Sequence, residues 1–85
     1  MLDVKEAAQR ASEYFATLFP KDLVAQARLE EVELTDDGQY WLITLGFPVN
    51  DTQGFVLSTR TPKEYKQFKI EAATGKVVSM KIRNV

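Results

Sequence analysis

Whatever chemistry this chain performs must be done with hydroxyls, carboxylates, amines and aromatic rings, because its 85 residues contain no cysteine and no histidine. That composition removes thiolate nucleophiles, imidazole bases, disulfides and every zinc site built on Cys or His. The hydroxyls Ser58, Thr59, Thr61 and Ser79 lack the base of a Ser-His pair, which leaves a lysine-activated serine as the one nucleophilic arrangement conceivable. Glu30, Glu31, Glu33, Asp36 and Asp37 offer the oxygen ligands that a hard divalent cation takes. Their spacing is not that of an EF-hand loop, however, and a solvated strand and turn accounts for them more simply. Acid–base work by two carboxylates needs both to face one cleft, and a small antiparallel sheet with a single helix supplies no obvious one. The expectation is a protein that is not an enzyme, with no catalytic residue, metal, cofactor or small-molecule substrate.

Two groups of residues remain that bind rather than react. Net charge is only −1, yet residues 1–42 carry four basic and nine acidic side chains, and residues 43–85 carry seven basic and three acidic. In the basic half, Lys66, Lys69, Lys81 and Arg83, set beside Tyr40 and Tyr65, have the make-up of an aromatic and basic platform for nucleic acid or another polyanion. Glu31, Glu33 and Glu71 would share that platform and pair with its lysines across strands, which weighs against this reading. The second group is Phe55-Val56-Leu57, an apolar trio inside a polar stretch from Pro48 to Pro62. Folded back, these residues would cap the core; left at the surface, they would bind a protein partner or a second copy of the chain. Leu42 and Val77, apolar on an otherwise polar sheet face, together with Tyr40, would extend such a surface.

Positioning these residues falls to a few elements within one domain over 1–85, since a chain this short has room for a single core. Asp3 and Glu6 form a capping box, with Leu2 and Ala7 as the accompanying staple. Val4, Ala7, Ala8, Ala11, Phe15 and Leu18 then recur at steps of three and four, which predicts a helix over 3–19 that ends at Pro20. A short turn over 22–26 follows. From Arg28 the period changes to two, giving a hairpin over 28–47 that turns at Asp36-Asp37-Gly38, a strong hairpin signal. Trp41, Ile43, Leu45 and Phe47 form the core face of its second strand. The phase change between Leu29 and Val32 points to a bulge or a late start of the first strand. After the 48–62 loop comes a hairpin over 64–84. It turns at Ala73-Thr74-Gly75, with Phe68, Ile70 and Ala72 expected in phase with Val78, Met80 and Ile82. The resulting fold class is α+β: an N-terminal helix packed on one face of a four-stranded antiparallel meander.

The run Ile70-Glu71-Ala72-Ala73-Thr74-Gly75-Lys76-Val77, preceded by the acidic Asp-Gly turn and the aromatic strand Tyr40-Trp41-Leu42-Ile43, resembles a PepSY domain. The resemblance covers about four fifths of the chain. It implies a helix-on-sheet fold, cystatin-like in shape, in a module that inhibits or binds and does not catalyse. A protease-inhibitor-like role is the less favoured form of that implication, because family members are usually secreted or membrane-tethered. Here Met1 to Glu6 shows no basic n-region or apolar run, and no segment is long enough to span a bilayer. The expected location is cytoplasmic, and the expected role is a protein-interaction module or homodimer, with polyanion binding as the alternative.

Overall fold

The computed structural model describes residues 1–48 and 63–83. Helix α1 spans Val4–Leu18 and helix α2 spans Lys21–Gln26; strands β1 to β4 span Arg28–Leu34, Tyr40–Pro48, Lys63–Glu71 and Val77–Ile82. The strands form one antiparallel sheet in the order β1-β2-β3-β4. The expected helix and meander are therefore both present.

The capping box forms as read. Asp3 accepts from the Glu6 amide at 2.8 Å, and the Asp3 amide donates to Glu6 Oε1 at 3.1 Å. These two bonds satisfy amides that the helix start leaves without partners. Phe19 precedes Pro20 and is extended, with φ −127° and ψ 155°, because the proline ring crowds the helical conformation of the residue before it. Helix α2 follows this break and places Leu23 and Val24 against the core.

The buried stripe of α1 is narrower than its spacing predicts. Ala7, Ala11 and Phe15 are fully buried, whereas Val4 and Leu18 are exposed. Two alanines let the helix lie close to the sheet, and the large side chain comes from one position, Phe15. Its ring stacks on Phe19 at 4.4 Å and meets Phe47 at 5.1 Å and Phe68 at 6.3 Å. Ile43, Leu45, Phe47, Phe68 and Ile70 complete this core from the sheet. Trp41 is half-buried at its margin and donates its indole N–H to the Leu2 carbonyl at 3.0 Å.

Two bulges set the phases of the edge strands. Leu29 pairs with Leu45 and Glu31 with Thr44, so Glu30 is the extra residue in β1. The phase change read from Leu29 and Val32 is this bulge. On the other edge Lys69 pairs with Ser79 and Ile70 with Val77, leaving Val78 extra in β4. Val77, expected on the polar face, accordingly packs against the core, and Val78, expected in the core, is half exposed. The turns are closed by Gly38 at φ +71° and Gly75 at φ +79°, the left-handed region that glycine enters without steric cost.

Candidate interaction surfaces

The face of the sheet away from α1 is built by alternation. Register places Glu31 and Glu33 of β1, Tyr40, Leu42, Thr44 and Gly46 of β2, Tyr65, Gln67, Lys69 and Glu71 of β3, and Ser79 and Lys81 of β4 on it. At one end Glu30 lies across Gly46, so close that a Cβ there would stand 2.8 Å from Glu30 Cγ and 3.0 Å from the Tyr65 ring. Lys63 Nζ is 3.8 Å from the Glu30 carboxylate. At the other end Lys69 Nζ sits 4.3 Å from the centre of the Tyr40 ring, a cation–π contact that occupies both.

Between these ends Arg83 continues β4, its amide donating to the Tyr65 carbonyl at 2.9 Å. Its side chain crosses the face to Glu31 on the opposite edge strand, with Nε 3.1 Å from Oε1. A bond between the two outer strands requires the sheet to curl toward this face. The result is a concavity of about 380 Å³ lined by Glu31, Val32, Glu33, Leu42, Thr44, Gln67 and Arg83. Thr44 is 1% exposed, and among the described residues its hydroxyl meets no partner in hydrogen-bond geometry. Arg83 holds the Glu31 carboxyl below the ordinary carboxylate range, first by the hydrogen bond and then by its charge. The Thr44 hydroxyl, which lies near this carboxylate without meeting hydrogen-bond geometry, adds a smaller pull in the same direction.

On the other side of the sheet the helices lie mainly over β2 and β3. Edge strand β1 is exposed along all seven residues. Register puts Leu29, Val32 and Leu34 on the helix side, opposite Leu45, Ile43 and Trp41, yet they are 50%, 37% and 36% exposed. This apolar margin borders an edge whose outer backbone groups pair with no strand among the described residues.

The residues singled out in the sequence are thus distributed over several places. Phe55, Val56 and Leu57 lie outside the described residues. Leu42 and Tyr40 are half-buried on the open face, Leu42 in the concavity and Tyr40 under Lys69. Lys69, Lys81 and Arg83 share that face, but Lys66 pairs with Leu45 and belongs to the helix side, so the four cations do not form one patch. The acidic run is also dispersed: Asp37 caps its own turn, accepting from the Thr35 hydroxyl at 2.6 Å and the Gln39 amide at 3.0 Å. Among the described residues no three carboxylates gather as a metal site requires, and no helix is long and apolar enough to cross a membrane.

Thr44 and Gln67 were not singled out by the sequence. The one signal for them is a threonine and a glutamine at matching polar-face positions, which nothing distinguishes from a solvated surface until Arg83 is seen to reach over them. The β1 margin was missed because periodicity says which side a residue faces and not whether a helix covers it. In comparisons with protein-family models, curated proteins and solved structures, the chain matches none.

Proposed function

We propose that this chain is a small non-enzymatic interaction module that receives a protein partner along the exposed margin of β1. The observation that carries this reading is Leu29, Val32 and Leu34, three large apolar side chains uncovered on the same side as the core and next to an unpaired strand edge. A partner strand added there would pair the free backbone groups and continue the apolar layer. The resemblance of the second hairpin to a PepSY domain supports the same class of function, a module that binds and does not catalyse.

Polyanion binding draws less support. Lys69 is engaged by Tyr40, Arg83 by Glu31, and Lys66 lies on the other side of the sheet. Light scattering of the purified chain and of a Leu29→Ser, Val32→Thr, Leu34→Thr variant, at low and high salt, tests the reading. A dimer that survives salt and falls to monomer in the variant makes the partner a second copy. A monomer in every condition directs the search to a foreign protein retained from lysate by the wild type and lost by the variant. Binding that vanishes steeply with salt and ignores the variant would favour the polyanion.

A further inference from the structure

The concavity on the open face is unusual for a solvated sheet surface in two ways. Its floor contains Thr44, a residue only 1% exposed whose hydroxyl meets no partner in hydrogen-bond geometry among the described residues, although buried polar groups are nearly always paired. Its one cationic wall is the side chain of Arg83, the last described residue, which reaches from the far edge of the sheet. A guanidinium carries five donors in a planar fork. Among the described residues the Arg83 side chain makes a single hydrogen bond, from Nε to Glu31. The bidentate contact that an arginine forms with a carboxylate at its best geometry is not made. The lining around it carries groups able to accept from such a fork, namely the carboxylates of Glu31 and Glu33, the Gln67 amide and the Thr44 hydroxyl, with Leu42 and Val32 as its apolar members. Arg83 can leave without unzipping the strand, because its place in the sheet is held by its backbone bond to Tyr65.

We infer that this concavity is a receptor for the guanidinium group of an arginine on another polypeptide, and that Arg83 is its resident occupant, displaced when the foreign arginine enters. The inference rests on the open face and the β1 margin on the helix side; Val32 alone borders both, so Leu29 and Leu34 variants test the margin without touching the concavity. A resident competitor lowers the apparent affinity of an incoming ligand, and its removal restores it.

The test is a titration of N-acetyl-arginine amide, and in parallel of N-acetyl-lysine amide, into the wild-type chain and into Arg83→Ala, followed by backbone amide shifts. Arg83→Gln, which keeps a polar stem of similar length, serves as the second variant if the alanine form is poorly folded. Removing Arg83 should tighten binding of the arginine probe by roughly tenfold, with shifts centred on Glu31, Leu42, Thr44 and Gln67. The lysine probe should bind more weakly than the arginine probe. Glu31→Gln in the Arg83→Ala background should abolish binding, and Thr44→Val should weaken it without loss of fold. The inference is overturned if neither Arg83 variant shows a saturable shift, or if arginine and lysine probes give equal shifts scattered over all acidic residues.

Discussion

Gly75 is where one residue carries the most local constraint. Its φ of +79° already resists any L side chain, and a Cβ there would stand 3.0 Å from Leu2 Cδ1 and 3.1 Å from Arg10 Nε. Gly75→Val combines backbone strain with this crowding and should lower stability by more than about 1 kcal/mol, read as a fall in the urea midpoint. Phe15 holds the core together from the helix, touching Phe19, Phe47 and Phe68. Truncating it to alanine should cost about 3–5 kcal/mol. A domain of this length holds roughly 4–13 kcal/mol in total, so Phe15→Ala should leave a partly unfolded population visible by near-UV circular dichroism. Glu31 and Asp37 predict the acid behaviour. Arg83 depresses Glu31, and the Thr35 hydroxyl followed by the Gln39 amide depresses Asp37. Each contribution is complete above the unfolded-state value, about pH 4, and is lost as pH falls through the lower folded-state value. Stability should therefore decline on acidification below about pH 4. In a double Glu31→Gln, Asp37→Asn variant that decline should be shallower, as urea midpoints measured across the acid range will show.

Among the elements, the capping box, the Pro20 break, both glycine turns and the β1 bulge were legible in the sequence, because each depends on neighbours within a few residues. Asp3→Ala removes the side-chain half of the box and should cost about 1 kcal/mol, measured by thermal unfolding. What the sequence did not disclose depends on pairing between distant segments. The alternation in β4 reads as Val78, Met80, Ile82 inward, and the bulge opposite Lys69 and Ile70 overturns this at Val77 and Val78. The exposed positions Val4 and Leu18 fit the helical period of the apolar stripe. They lie outside because the fully buried line of the helix is Ala7, Ala11 and Phe15, with Tyr14 beside it meeting Phe68 at 6.2 Å. The concavity was hidden for the same reason: Glu31 and Arg83 are 52 positions apart, and only the curl of the sheet brings one edge within reach of the other.

At the level of the whole molecule, two helices are too little to cover four strands. They cover β2 and β3, and β1 keeps its apolar side chains in view of solvent. Glu30, Glu31 and Glu33 charge this edge and the bulge bends it, both of which discourage indiscriminate strand pairing, while Leu29, Val32 and Leu34 remain available to a partner shaped for them. The open face has a different character: Arg83 is held by Glu31, Lys63 lies beside Glu30 and Lys69 sits over Tyr40, which fits selective recognition of single groups better than attraction to a polyanion. The measurement that tests the central claim most directly is retention of proteins from source-cell lysate at high salt by the wild-type chain and by its Leu29→Ser, Val32→Thr, Leu34→Thr variant, both shown to be folded. A protein, or a second copy of the chain, held by the wild type through the high-salt wash and absent from the variant is the predicted result. Retention that is identical for the two chains, or that disappears for both when salt is raised, would contradict it.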